Sequence, residues 1–400
     1  MHMKAPKILL ASLLAFSTAG VARAQTVVHI TGSTAFRSAV HTAITYILQP
    51  GFVYGYTGTS FTGASEAIFT GTAITNGIPV IIKTSWSGSL AGIETVSQAY
   101  PSTVGTFLTN TTPQSTTGSG SAPTNYDSPV IPEVCMSDGF QFTSQYPSPV
   151  LTAQTVGVVP FKFLRNAGAP ADLTNMTPLL AQALWPGGSL PLSLFSGSSN
   201  DMDTIIYAIG RNPDSGTRKT AFLETSIQTF ISSLTPVVVL QYEPTNANGV
   251  VNKANPGAIT GQTVWPPETV DNISFAAGDG GYSSGGDLAA AMKASSPFIY
   301  VTYLGLSDSA TAEGGGAVEL TYNGIPYSDA AIQNGQYTFW TYEQLDYLPT
   351  YGTTDANGKA VADSLTANIL TNATALAGVG ELLSTVNVTR QQEGGPVTPQ

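Results

Sequence analysis

The chain has 400 residues, of which only 10% are charged, and its formal net charge is −11. No basic patch is available to neutralise a nucleic-acid backbone, so DNA and RNA are excluded as partners. Hydrophobic residues make up 42% of the chain, enough for a sizeable core, and the single cysteine, Cys135, excludes an intramolecular disulfide.

The first segment carries Lys4 and Lys7, an apolar run over residues 8–21, and Ala22-Arg23-Ala24. That layout predicts a secretory signal peptide over residues 1–24, because the apolar run is too short to span a bilayer. No cysteine lies near the cleavage point, so no lipid anchor is expected. The predicted location is periplasmic or secreted, and the predicted state is a soluble monomer.

Beyond it, β-branched runs alternate with helical periods, which predicts α/β architecture. Residues 27–30 read as a strand running into Thr31-Gly32-Ser33-Thr34. A helix follows with Phe36, Val40, Ile44, Ile47 and Leu48 on one face. Residues 79–83 predict a second strand, then a Gly/Ser turn and a helix carrying Leu90, Ile93 and Val96. Residues 102–128, rich in Thr, Ser, Gly and Pro, read as a surface insertion, and residues 244–272 read similarly. Residues 156–164 and 204–209 predict strands, the latter leading to a helix with Phe222, Ile227, Phe230 and Ile231. A short helix at residues 288–292, a buried strand at 298–304 and a last helix at 362–383 complete the pattern.

Several units share one form, a strand ending in a small polar turn from which a helix starts directly. In an open α/β sheet such turns lie at the carboxyl ends of the strands, where ligands bind. A helix start offers unpaired N–H donors and partial positive charge, which suits an anion. The instances are Gly32-Ser33-Thr34, Gly88-Ser89, Asp214-Ser215-Gly216-Thr217 and, more loosely, residues 283–287.

The run Arg211-Asn212-Pro213-Asp214-Ser215-Gly216-Thr217 resembles the Arg-x-Asp-Gly-Ser-Gly-Thr signature of phosphate-binding proteins of ABC transporters. Thr31 to Phe36 resembles that family's first anion loop, and Ser87-Gly88-Ser89 its second. Met136-Ser137-Asp138 resembles its Ala-Ser-Asp turn, and Gly335 to Trp340 is similar to its return strand. The resemblance implies a type II periplasmic-binding-protein fold, two α/β lobes, each a mixed sheet flanked by helices, joined by two hinge strands. Lobe 1 would comprise residues 25–155 and 341–400, and lobe 2 residues 156–340, with crossings near residues 154–164 and 337–345.

It further implies capture of inorganic phosphate, or a related oxyanion, between the lobes for uptake through an inner-membrane ABC permease. No cofactor and no catalysis are expected. Ligand contacts would come from Ser33, Thr34, Phe36, Ser89, Asp138, Arg211, Ser215, Gly216 and Thr217. Arg211 would carry the main positive charge, and Asp138 would accept a proton still held by the phosphate. Sulfate carries no such proton, so a buried carboxylate there selects against it. The sequence departs from the family pattern at Ala35, Arg37 and Pro213-Asp214. A protein of the same fold acting as a secreted or cell-surface phosphate scavenger or sensor, or in surface assembly, without transport, is the alternative.

Gly281-Tyr282-Ser283-Ser284-Gly285 fits a hydrolase nucleophile elbow, but that fold needs a histidine after the nucleophile. The chain beyond the leader has only His29 and His41, both upstream and neither at metal-ligand spacing. Asp355-Ala356-Asn357-Gly358 reads as a plain turn, since the later glutamate of a calcium loop is missing.

Overall fold

The computed structural model describes residues 25–99, 106–122, 125–127, 129–227, 238–270 and 273–400. The signal-peptide segment lies outside them, as do Phe230 and Ile231. Strand β1 (Thr26–Gly32) is buried because it sits between two parallel neighbours. It feeds helix α1 (Arg37–Ile47), which buries Val40, Ile44 and Ile47. Strands β2 (Val53–Thr57), β3 (Glu66–Thr72) and β4 (Pro79–Ser85) form an antiparallel meander. Helix α2 (Ser89–Gln98), the short edge strand β5 (Ser119–Ser121) and β6 (Val134–Asp138) follow. Because β1, β4 and β6 run parallel, their carboxyl ends, and the turns after them, lie along one edge of the sheet.

Strand β7 (Thr152–Arg165) is long enough to change partners midway. The next elements are β8 (Asn175–Met176), α3 (Pro178–Gly187), β9 (Ser189–Pro191), the one-turn α4 (Ser193–Ser196), β10 (Ile205–Ala208) and α5 (Gly216–Glu224). Strands β11 (Tyr242–Asn246), β12 (Gly249–Val250) and β13 (Gly261–Val264) build a small antiparallel sheet. The stretch 244–272, expected to be a surface insertion, thus carries short strands of its own. Beyond the pair β14 (Glu268–Val270) and β15 (Ile273–Phe275) come α6 (Gly285–Met292), β16 (Ile299–Gly305), α7 (Leu306–Glu313), β17 (Val318–Tyr322), α8 (Asp329–Gln333) and β18 (Trp340–Tyr347).

From Thr152 to Pro160, β7 pairs with β18, whereas beyond Phe161 it pairs with β16 and β17. The mixed sheet thus has two halves, β1–β6 with β18 and β8–β10 with β16 and β17, joined through β7. Its hydrogen-bonded order is β5-β2-β3-β4-β1-β6-β18-β7-β16-β10-β9. Both halves turn their loops inward: a Cβ on Gly305, at the end of β16, would lie 3.1 Å from Ala35 Cβ. One core cluster runs through the junction and includes Phe36, Val158, Phe161, Phe339, Trp340 and Leu376.

Two expectations need correction. The return strand starts only at Trp340, so residues 335–339 are not strand. After the one-turn α9 (Tyr351–Thr354), the last long helix is α10 (Ala356–Ile369), capped by Asp355, and not residues 362–383. It stops near Thr371, and Asn372 caps a separate turn, α11 (Ala373–Leu376). The apolar spacing continues across this break, so periodicity alone ran through it.

Candidate functional site

Arg211 follows β10 and is 2% exposed. Its backbone is clamped: the N–H donates to the Tyr303 hydroxyl (3.3 Å), and the carbonyl accepts from Arg218 Nη1 (3.0 Å) and Gln241 Nε2 (3.1 Å). Preceding Gly210 must lack a side chain, since a Cβ there would lie 2.0 Å from Gln241 Oε1. The guanidinium donates from Nε to the Tyr282 carbonyl (3.0 Å) and from Nη2 to the Ser283 carbonyl (2.9 Å). Among the described residues no carboxylate reaches ion-pair distance of it. Burial pushes the Arg211 pKa down, and the more distant Asp308 and Asp138 oppose that shift. A buried guanidinium has five donors, and part of this fork is unengaged.

Four loops converge beside it. Ser33 N–H donates to the Met136 carbonyl (2.8 Å), and Gly88 N–H to the Gly32 carbonyl (2.9 Å). Leu90 N–H, in α2, donates to the Asp214 carbonyl (3.0 Å), linking the two halves. Thus Asp214 uses its backbone here, while Ser215 is the residue that caps α5. Ser33 Oγ accepts from Phe36 N–H (3.2 Å), Ser89 Oγ from Asp138 N–H (3.2 Å), and Ser215 Oγ from Arg218 N–H (3.2 Å). Each of these buried hydroxyls acts as acceptor to a backbone amide and keeps its own proton to donate. Ser284, at the looser fourth instance, differs, because its hydroxyl already donates to Asp287 (2.6 Å).

Asp138 ends β6 and is 1% exposed. Its Oδ2 accepts from the Thr217 hydroxyl (3.0 Å), across the boundary between the halves. Burial pushes its carboxyl up to about 6, opposed by the Thr217 hydroxyl, Arg211 and Lys219. Gly216 lies against both Asp138 and Ser89. Thr34 is 5% exposed in the first loop. The structure therefore gathers Ser33, Thr34, Ser89, Asp138, Arg211, Ser215, Gly216 and Thr217. Phe36 differs in that its amide is engaged by Ser33 and its ring packs near Gly157 and Gly380 in the core.

The outer side of the cluster holds residues that sequence reasoning did not assign. Arg37, from α1, pairs with Asp308 of α7 across the two halves (3.3 Å), and both are buried. Lys253, from the small β11–β13 sheet, lies beside Gly286 at the start of α6, where Arg37 Nη2 also lies. Loss of hydration, then the charge of Arg37, pushes the Lys253 amine down, although the residue borders an open polar recess with Ser60, Ser65 and Glu66. Asp308 thus pairs with Arg37 and acts at longer range on Arg211 and Lys253, and Asp287 also acts on Lys253. The basic residue Arg37, directly after the first polar turn, was the sequence signal for this group.

Arg218 is a support residue: it pairs with Asp279 and holds the Arg211 carbonyl. His29 and His41 are structural. His41 Nε2 accepts from Trp86 Nε1 (2.9 Å) and Nδ1 faces the Phe61 carbonyl (3.0 Å), and burial lowers its pKa to about 4. Cys135 is buried in β6. Among the described residues, no group of acidic, histidine or cysteine side chains is arranged to hold a metal, and no helix is long and apolar enough to cross a membrane.

No protein-family model and no curated protein sequence matches the chain. Its structure is similar to that of a phosphate ABC transporter substrate-binding protein with bound phosphate from Clostridium perfringens, at 11% identity and a TM-score of 0.49, over 89% of this chain and 99% of that one. It is similar also to an ABC-type phosphate transport receptor from Vibrio cholerae, at 11% identity and a TM-score of 0.46, over 89% and 99% of the two chains. A phosphate-binding protein from Stenotrophomonas maltophilia is 14% identical with a TM-score of 0.46, over 90% of this chain and 92% of its own.

Proposed function

We propose that this chain is an exported solute-binding protein that captures a protonated oxyanion, hydrogen phosphate, between lobe 1 (residues 25–155 and 341–400) and lobe 2 (residues 156–340). The observation that carries the reading is the Arg211 guanidinium, buried and, among the described residues, without a carboxylate in ion-pair reach. Leaving a charge in that state costs several kcal/mol, roughly, so the site calls for an anion to complete it. Three hydroxyl protons and the helix starts at Ser89 and Gly216 supply neutral donors around one point. Asp138 supplies an acceptor, which an oxyanion still carrying a proton satisfies and a fully deprotonated one does not. The ligand contacts proposed are Ser33, Thr34, Ser89, Asp138, Arg211, Ser215, Gly216 and Thr217; Phe36, expected as a contact, has its amide bonded to Ser33 and its ring in the core, and is left out. Delivery to an inner-membrane permease from the periplasm, by a monomer, completes the reading.

Calorimetric titration into refolded, ligand-stripped protein tests it. The expected result is saturable one-to-one phosphate binding that sulfate does not share and Arg211→Ala abolishes. No heat from phosphate, arsenate or sulfate would sink the reading.

A further inference from the structure

Strand β18 carries an acid that the proposed contacts do not use. Glu343 is 0% exposed, and neither of its carboxyl oxygens has a hydrogen-bond partner among the described residues. On one side it stands directly opposite Asp138 of β6, and on the other opposite Gly157 of β7. Directly opposed residues on antiparallel strands project to the same face, with Cβ atoms about 5 Å apart. Glu343 therefore emerges on the face where Asp138 meets Thr217, and Asp138 lies against Gly216. On the β7 side the neighbour has no side chain, and the nearest atoms to a Cβ on Gly157 would be the Glu381 carbonyl (3.4 Å), Phe36 Cζ (3.7 Å) and Leu376 (3.8 Å).

A buried carboxyl with no partner is destabilising, and a leucine of similar volume would pack there without that penalty. Its retention beside the one carboxylate of the anion site is explained if the missing partner is the ligand. We infer that Glu343 is a further ligand-facing residue, a neutral carboxylic acid that donates its proton to a bound oxyanion from the hinge strand. This rests on the oxyanion reading above and deepens it. The floor of the site then has two acids with opposite roles, Asp138 accepting a proton from the ligand and Glu343 donating one to it. Such a pair recognises an anion that carries both a bare oxygen and a hydroxyl, the class of hydrogen phosphate and hydrogen arsenate.

The surroundings keep Glu343 neutral. Burial raises its pKa well above the carboxylate range, and Asp138 and Asp346 raise it further. Of the elements packed on it, β6 contributes Asp138 and Cys135, its own strand Asp346, and α2 carries Glu94. Residues 152–160 of β7 include no titratable group. Lys219 of α5 is the cation that acts on both Asp138 and Asp346.

The test compares Glu343→Leu and Glu343→Gln with the parent protein by phosphate calorimetry, thermal melting and infrared difference spectroscopy. Glu343→Leu should weaken phosphate binding by at least about tenfold, the loss of one hydrogen bond to a charged group, while melting at the same or a higher temperature without ligand. Glu343→Gln, which keeps a donor, should restore most of the affinity and hold it further into alkaline pH than the parent. The parent should show a protonated-acid carbonyl band that shifts on phosphate addition and is absent from Glu343→Gln. Parent-like affinity in Glu343→Leu, or a pH profile and carbonyl band indifferent to Glu343→Gln and phosphate, overturns the assignment while leaving phosphate capture standing. A parent protein that binds no oxyanion overturns both.

Discussion

Gly216 and Asp138 approach so closely that a Cβ on Gly216 would lie 2.2 Å from Asp138 Oδ1 and 2.6 Å from Ser89 Oγ. The start of α5 from the second half is thus seated directly on the end of β6 from the first, and only glycine permits that approach. Gly216→Ala is expected to hold the halves apart, weakening phosphate binding by more than about tenfold. Small-angle scattering of the phosphate-loaded variant should show a larger radius than the parent; identical radii and affinities would refute this contact as the closing one.

Arg211 presents an opposition between binding and stability. Replacing it with methionine removes a buried charge that has no ion-pair partner among the described residues. Arg211→Met should therefore abolish phosphate binding yet unfold at a higher temperature than the ligand-free parent, by an increment of about 1–4 kcal/mol. Thermal melts with and without phosphate check this, and a destabilised variant would mean that its two carbonyl contacts outweigh the burial of the charge.

If Asp138 faces the ligand as proposed, anion choice should depend on pH. Its carboxyl is pushed up to about 6 by burial, so it is mostly ionised at pH 7 and protonated below 6. As an ionised acceptor it repels sulfate; once protonated it becomes a donor to it. Sulfate affinity should rise as pH falls through about 6 in the parent, and should be higher and nearly flat with pH in Asp138→Asn. Calorimetry at pH 5 and 7.5 decides, and a pH-independent parent would count against the role.

Asp346 affects stability rather than binding. It is 1% exposed, and burial pushes its carboxyl up to about 7, with Ser137 and Lys219 opposing. The folded state holds a proton that the unfolded chain releases near 4, so folding stability falls as pH rises from about 4 to about 7. The span corresponds to roughly 4 kcal/mol as an upper bound. Asp346→Asn should reduce the fall in denaturant-derived stability over that window, to which Asp138 and Glu343 contribute in the same direction.

The Arg37–Asp308 pair bridges the two halves from α1 to α7. Asp308→Ala leaves Arg37 buried without its carboxylate, which costs about 3–5 kcal/mol for a buried pair broken on one side. Removing both, in Arg37→Met with Asp308→Ala, should recover much of that loss. A double-mutant cycle read by chemical unfolding gives the coupling, and strict additivity would show that the pair does not interact.

Local chemistry was legible where it is local in the chain. The strand–turn–helix units at Gly32–Ser33, Gly88–Ser89 and Ser215–Thr217 each announce themselves in a few consecutive residues, because caps, turns and hydrophobic period are short-range effects. Strands β2 and β3 left weaker signals, being short, rich in Thr, Tyr and Gly, and only partly buried. Helix α10 was misplaced because apolar spacing continues past the point where Asn372 starts a new cap.

Sequence alone supplied the residues of the proposed site: an arginine, a carboxylate and small hydroxyl residues at helix starts, in an acidic chain. Only the tertiary structure decided that Lys253 lies beside Arg37, that Asp308 answers Arg37 across the halves, and that Glu343 stands opposite Asp138. Those meetings depend on strand register and on how two halves close, where residues more than two hundred positions apart come into contact. No periodicity or motif encodes such a pairing, because its energy comes from burial and charge that exist only once the chain has folded.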